Sequence, residues 1–356
     1  RGRMTISSGS PRSGRAVTPA IIARNEEANI GVTLASLASQ DLFAVTEPAP
    51  ELVVLANGCT DRTVPVAEAA IARHLAGKLS QAKVVDTPIG GKKPAREKGG
   101  YRGAPPPPPV FLFMAADIEL AGPQVCREMI DKLLADDIAV ACTGRPMKQI
   151  ARKRRKSAVD RLSLNVSELN RYDRAISGQL YCARAEALRQ IWLPEPTPGE
   201  DGFLNAMVQT CGFSQPLDCA RVTQMEQVTH YYEPAPLSRV FAHEQRMVIG
   251  TTVNMWLFEH LMDLRPHEPV GPLIGQRNRT EPDWVGQLVS RRAGNRGWVV
   301  PRKLLFWRMP KLDARPRLQD LPRLAVGLVA TAFSLAVAVG TMRGGRKGGA
   351  PDGKAV

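Results

Sequence analysis

The sequence predicts an α/β fold, a mixed and mostly parallel sheet flanked by helices, from three observations. Short apolar runs alternate with segments of helical period along residues 16–143, which is the pattern of β-α-β units. Several of these runs stop at a polar or acidic residue, where open α/β sheets bind ligands. At 356 residues the chain is long enough for a full core and a further region beside it.

The elements follow in order. A first strand is expected over 16–23. A helix comes next, with Ile30, Leu34 and Leu37 on one face and Glu26 and Glu27 at its N-terminal end, where acidic groups suit the helix dipole. The second strand is 51–56, and its helix carries Val64, Ala67, Ile71 and Leu75 on one side. A third strand over 82–86 precedes a Gly-Lys-Lys segment. A fourth, 110–115, follows the five-proline run 105–109, a stiff extended connector. Val125, Met129 and Leu133 mark another helix and 138–143 another strand. Beyond these, 237–262 reads as a long, mostly apolar helix around Arg246, fit to lie in a membrane interface, and 264–318 is rich in Arg, Pro and Trp with little periodicity.

Composition narrows the class. With 44% hydrophobic and 23% charged residues, neither a disordered chain nor a polytopic membrane protein fits. The formal charge of +14 calls for an anionic partner, either substrate or membrane surface. Nucleic acid is excluded as that partner, because the Arg and Lys clusters are not interleaved with aromatics and no binding module is present. Arg152 to Lys156, five cations in a row, reads as a solvated loop against phosphate or lipid headgroups. The six cysteines lie far apart with no C-x-x-C pair, so they are expected as mostly buried thiols. Residues 1–15 form a basic tail without an apolar run, unlike a secretory signal. Residues 324–341 are apolar or small between basic flanks, near the lower limit of roughly 17 residues for a membrane-spanning helix.

Three segments carry chemistry. The second strand enters Asn57-Gly58-Cys59-Thr60-Asp61, which is either an ordinary βα turn or a ligand edge of backbone amides and a carboxylate. The fourth strand runs into Asp117 and Glu119, two apart and therefore on one side of an extended chain, so that both reach one Mg2+ or Mn2+ ion unless they merely solvate the strand end. Glu200 and Asp201 open a helix, as dipole caps or as a general base.

Taken in order, these pieces resemble the family 2 glycosyltransferases with the GT-A fold, over residues 18–250. Ala23-Arg24-Asn25-Glu26-Glu27 resembles the family's P-A-R-N-E-E start, with Ile22 at the usual proline. Asn57 to Asp61 is similar to N-G-S-T-D, which holds base and ribose in the family. Gly91-Lys92-Lys93-Pro94-Ala95-Arg96 resembles G-K-x-x-A-x-N, and Met114-Ala115-Ala116-Asp117 stands at L-D-A-D, the metal and diphosphate motif. Ile176-Ser177-Gly178 to Arg184 is similar to the acceptor-side S-G-x-x-x-x-x-R, and Glu200-Asp201 to the E-D pair whose aspartate is the base. Ala115 replaces the first aspartate of D-x-D, leaving Asp117 to bind metal alone or with Glu119. At Q-x-x-R-W the chain has His243 for Gln and Met247 for Trp but keeps Arg246, which implies transfer of one sugar rather than polymer growth. His243 reads equally as a partly buried helix histidine.

The resemblance implies an inverting transfer from a nucleotide-diphosphate sugar to a hydroxyl acceptor, lipid or lipid-linked, in cell-envelope or exopolysaccharide glycan synthesis. Asp201 is its base, Asp117 its metal ligand, and Lys92, Lys93 and Arg246 its diphosphate neighbours. Arg24, Asn25, Glu26, Asn57, Asp61 and Asp86 face the nucleoside, Asp86 also reading as an ordinary strand-end carboxylate. The expected organisation is tail 1–15, GT-A domain 16–235, helical basic extension 236–318, and membrane helix with basic tail 319–356, on an anionic cytoplasmic membrane with the catalytic domain in the cytosol. A nucleotidyltransferase would carry a Gly-rich loop after the first strand, where this chain has Ala-Arg-Asn-Glu-Glu. The rival reading is a degenerate paralogue that binds nucleotide sugar without turnover.

Overall fold

The computed structural model describes residues 16–46, 49–87, 109–169, 173–195, 199–234, 237–264 and 269–294, with scattered positions from 300 to 336. The tail 1–15, the Gly-Lys-Lys segment with Lys92 and Lys93, all of the proline run but Pro109, and most of 324–341 lie outside the described residues.

The elements in chain order are β1 (Val17–Ala23), α1 (Ile30–Ala38), α2 (Leu42–Val45), β2 (Glu51–Asn57), α3 (Thr63–His74), β3 (Gln81–Thr87), β4 (Val110–Ala115), β5 (Ile118–Leu120), α4 (Val125–Leu134), β6 (Ala141–Thr143), β7 (Pro146–Lys148) and α5 (Ala158–Leu169). There follow β8 (Leu180–Arg184), α6 (Ala185–Arg189), α7 (Glu200–Gln209), β9 (Val222–Gln224), β10 (His230–Tyr232), α8 (Leu237–Leu264), α9 (Gly271–Thr280) and α10 (Trp284–Ala293).

Among the described residues seven strands form one sheet in the order β3-β2-β1-β4-β8-β6-β9, and β5-β10-β7 form a small second one. In the large sheet β1 runs parallel to β2 and β4, β2 to β3, and β6 to β9, while β8 is antiparallel to β4 and β6. The order reverses between β1 and β4, since the chain winds outward from β1 to β3 and then returns to the other side of β1. That switch point opens a crevice beyond the carboxyl ends of β1 and β4, where ligands bind in open α/β sheets.

Continuous apolar runs make β1, β2 and β4 because both of their faces are covered. Leu112 and Met114 point to the face holding Ile30, Leu34 and Leu37 of α1 and Met129 and Leu133 of α4. Phe111 and Phe113 point to the other, with Phe203 and Met207 of α7 and Val253, Leu257 and Leu261 of α8.

The structure corrects several expectations. The strand expected from Ile138 begins at Ala141, because the Asp136 carboxylate accepts the N–H groups of Ile138 and Ala139, both at 3.0 Å, and bends the chain. Helix α8 is not an interface helix along its length: Val253, Leu257 and Leu261 are core residues, and the exposed apolar side chains sit at its two ends, Phe241 and Met247 before that core stretch and Met262 and Leu264 after it. Residues 271–280 and 284–293 are helical although the sequence shows no clear period there. Helix α9 packs through Gly271 and Gly275, where a Cβ would strike the Gln190 carbonyl and the Trp192 ring, so part of its inner face carries no apolar side chain to read. Of the cysteines only Cys126, Cys142 and Cys182 are buried; Cys59 and Cys211 are half-buried and Cys219 is exposed.

Among the described residues no helix is long and apolar enough to cross a membrane. Within 324–341, positions 328–329, 331–333 and 335–336 are described and helical. Leu328 and Val329 are exposed there, and Phe333 meets Phe241 of α8 edge-on with centroids 6.2 Å apart.

Candidate functional site

The loops that leave β1 and β2 clasp each other at the crevice. Asn25 takes the left-handed conformation, φ 55, a conformation to which Asn is better suited than most side chains. Its Oδ1 accepts the Thr60 N–H at 2.8 Å. The Glu26 N–H donates to the Thr63 hydroxyl at 2.8 Å, the Glu27 N–H to Asp61 Oδ2 at 3.1 Å, and the Arg62 N–H to Glu27 Oε2 at 2.9 Å. Asp61 Oδ1 accepts both the N–H and the hydroxyl of Thr63. Desolvation pushes the Asp61 carboxyl up, and these donors outweigh it, so the group sits below its ordinary value. The structure therefore places Asp61 inside the clasp, where it shapes the crevice through the loops it joins. At the same end Asn57 is buried, Gly58 donates its N–H to the Thr87 carbonyl at 2.8 Å, and Arg24 and Asp86 are exposed on the rim.

Glu26, Asp61 and Asp117 interact at this edge. Burial raises the Glu26 carboxyl, Asn29 partly opposes that through a 2.8 Å hydrogen bond, and the charges of Asp117 and Asp61 raise it further; the net direction is up. A negative mouth of this kind attracts cations.

Asp117 is exposed in the two-residue turn that separates β4 from β5. The turn is pinned by the Ala116 N–H on the Ile22 carbonyl at 3.2 Å and by the Ala115 N–H on the Gln179 carbonyl at 2.8 Å. This turn overturns the idea that Asp117 and Glu119 share one side of an extended chain. Glu119 belongs to β5 in the second sheet and is paired with Arg152 at 2.8 Å, whose guanidinium lies 3.7 Å from the centre of the Tyr231 ring. Arg152, though exposed, is thus paired within the protein; Arg154 and Arg155 of the same cationic run are exposed as well.

The opposite wall is built from α7 and the chain entering β8. A Cβ on Gly178 would fall on the carboxylate of Asp201, so the two are in direct contact and any larger residue must displace that carboxylate. The segment around Gly178 is fixed by the Ile176 N–H on Asn205 Oδ1 at 3.1 Å and by the Ser177 N–H on the Thr143 hydroxyl at 2.8 Å. Glu200 and Asp201 occupy the first turn of α7, where the helix dipole favours their charge. His243, Arg246 and Gly250 share one stripe of α8 by their spacing, and Gly250 abuts Gly199 just before α7. His243 and Arg246 are exposed, so His243 is not the half-buried helix histidine that the sequence also allowed.

Sequence reasoning missed His230, Thr143, Asn205 and Asn254. His230 is fully buried beneath the site; its Nδ1 lies 2.9 Å from the Thr229 hydroxyl and its Nε2 3.3 Å from Gln179 Oε1, and burial pushes its pKa down to about 3. The one available signal was the spacing of Asn205, one helical turn beyond Asp201.

The chain alone does not build a closed metal cage: among the described residues no group of three His, Cys, Asp or Glu converges on a point. Mg2+ needs no such cage, because it is usually held by one or two carboxylates together with substrate phosphates. Asp117, at the negative mouth, fits that donor set.

Residues 20–191 match the family described as glycosyl transferase family 2. No curated protein sequence matches the chain. Among solved structures, the chain is similar to a mannosyltransferase from Pyrobaculum calidifontis in complex with GDP-Man and Mn2+, at 18% identity and TM-score 0.55, over 93% of this chain and 88% of that one. It is also similar to glucosyl-3-phosphoglycerate synthase from Mycobacterium tuberculosis in complex with Mn2+, UDP-glucose and phosphoglyceric acid, at 18% identity and TM-score 0.45, over 69% and 80%. A further likeness is to TarS of S. aureus, at 14% identity and TM-score 0.46, over 95% of each chain.

Proposed function

From a chain whose residues 20–191 belong to glycosyl transferase family 2, on the GT-A fold, we propose an inverting transfer of one sugar from a nucleotide-diphosphate sugar to a hydroxyl of a lipid or lipid-linked acceptor. The pathway is cell-envelope or exopolysaccharide glycan synthesis, with the catalytic domain on the cytosolic side of the cytoplasmic membrane. The observation that carries this reading is the contact of Asp201 with Gly178, whose neighbour Gln179 accepts the Ala115 N–H at the turn that carries Asp117.

The chemistry follows from that arrangement. Asp201 takes the proton of the acceptor hydroxyl, whose oxygen attacks the anomeric carbon as the bond to the diphosphate breaks and its electron pair leaves with the phosphate. The clasped loops hold the nucleoside, with Arg24 and Asp86 at its rim. A divalent cation, Mg2+ or Mn2+, would be held by Asp117 together with the diphosphate and would neutralise charge on the leaving group. Lys92, Lys93 and Arg246 are assigned to the diphosphate, and Ser177 and Gly178 to the acceptor. Met247 is exposed where a stacking Trp would support a growing polymer, which favours single transfer. Exposed Arg154 and Arg155, with Phe241, Leu328 and Val329, suit an anionic leaflet, at about 1 kcal/mol for each basic residue near the surface.

The test is turnover of UDP- and GDP-sugars by the full chain, with and without Mn2+, on lipid extracts and on a water-soluble acceptor. Metal-dependent transfer to the lipid fraction is expected. A large gain from nothing on Ala115→Asp favours the degenerate paralogue instead, and equal use of the soluble acceptor removes the lipid assignment.

Gly178→Ala gives a prediction of its own. The new methyl group displaces the Asp201 carboxylate, and misplacement by an ångström costs about 100-fold in rate. Turnover should fall by that order while donor affinity, measured by calorimetry, stays within a factor of about two of the wild type; unchanged turnover sinks the contact as a functional one.

A further inference from the structure

Helix α8 reaches the start of α7 with almost no side chain between them. A Cβ on Gly199 would lie 3.5 Å from the backbone of Gly250 and 3.2 Å from Asn254 Nδ2, and one on Gly202 would lie 3.2 Å from that same nitrogen. Bare backbone at 199, 202 and 250 lets the Asn254 side chain insert. Asn254 is 5% exposed, and its Nδ2 donates to the Gly199 carbonyl at 2.7 Å. Gly199 holds φ 85, a left-handed conformation that glycine adopts without strain, and its carbonyl also accepts the Phe203 N–H at 3.4 Å. The peptide from which α7 begins is therefore set by Asn254.

Asp201 stands two residues on, in the first turn of α7, with its carboxylate against Gly178. One side of that turn is fixed by Gly178 and the segment that Asn205 and Thr143 anchor; the other is fixed by Asn254. We infer that Asn254 is a positioning residue for Asp201, holding the carboxylate in register with the acceptor side, a role that rests on the reading of Asp201 as the base. The latch explains a cost that the fold alone does not. Asn254 Oδ1 is buried and makes no hydrogen bond among the described residues. An apolar side chain of the same shape would avoid that desolvation, and departures from the packing rules of this kind are expected at functional sites. Gly250 stands one turn before Asn254 on the stripe that carries Arg246, so the same helix sets the base and a diphosphate-side cation.

Asn254→Leu and Asn254→Ser in the full chain, beside Asp201→Asn, test the role. With Mn2+ and the UDP- or GDP-sugar that the wild type turns over, Asn254→Leu is expected to lower kcat about 100-fold, with the donor Kd within a factor of about two and no loss of thermal midpoint. Asn254→Ser, which keeps a donor, should recover part of the rate. The 13C resonance of the Asp201 carboxyl, followed by NMR without any substrate, should shift in Asn254→Leu. A kcat within a factor of about two of the wild type and an unmoved Asp201 carboxyl resonance, with Asp201→Asn inactive, overturn the positioning role. An Asp201→Asn protein that keeps full turnover overturns the base assignment, and the latch falls with it. If Asn254→Leu does not fold, Asn254→Ser decides by the same kcat and NMR criteria.

Discussion

Replacing Asp201 by asparagine lowers sugar transfer by roughly a hundred- to ten-thousand-fold, the range that a positioned general base supplies. Asparagine keeps the volume and planarity that sit against Gly178, and it keeps one acceptor oxygen, so the wall formed by α7 and the chain entering β8 stays in place. What it loses is the ability to take a proton. The loss therefore appears in kcat, while the donor Kd, which the proposed function assigns to the loops after β1, β2 and β4, is expected to hold. Single-turnover kinetics with a radiolabelled donor separates the two. A variant that binds donor normally yet retains a tenth or more of the wild-type kcat would remove Asp201 from the chemistry and leave it a helix-cap carboxylate.

The second large effect is on stability. His230 is buried and neutral in the folded chain, its pKa pushed down to about 3 by burial, whereas an unfolded histidine titrates near about 6.5. Only the unfolded state takes up this proton on acidification, so stability is lost as the pH falls from about 6.5 towards about 3. At about 1.36 kcal/mol per pH unit the loss reaches roughly 2 kcal/mol by about pH 5. Asp61, held below its ordinary value, adds to the acid loss, whereas Glu26, held above its ordinary value, opposes it. Urea unfolding at about pH 7 and about pH 5 should show the loss in the wild type, and His230→Gln, uncharged at both, should lack it. Equal acid sensitivity in the variant would place the proton uptake elsewhere. The histidine also touches Gln179, whose backbone carbonyl receives the Ala115 N–H, so acid weakens the layer on which the metal-side turn rests.

Much of the architecture was legible because it rests on local chemistry. Continuous apolar runs gave β1, β2 and β4 nearly to the residue, since both faces of the central strands must be apolar, and helical spacing gave the buried faces of α1 and α4. The site motifs were legible as a series, Arg24 to Glu27, Asn57 to Asp61, Asp117, Ser177-Gly178 and Glu200-Asp201, because each sits where an element begins or ends. Helices α9 and α10 were not, because part of the packing face of α9 is glycine and gives no hydrophobic signal. The strand expected from Ile138 started late because one Asx turn outweighed its β-branched residues.

What the sequence alone determined is therefore the order of strands and helices and the residue types at the sheet edge, both fixed by near neighbours along the chain. Only the tertiary structure decided which of those side chains share a point in space. It drew Asp61 into a clasp between two loops, gave Glu119 to Arg152, pressed Asp201 on Gly178 and set Asn254 against Gly199. Each of these is a contact between segments far apart in sequence, set by strand order, helix packing and the room that a missing Cβ leaves, and none has a local signature.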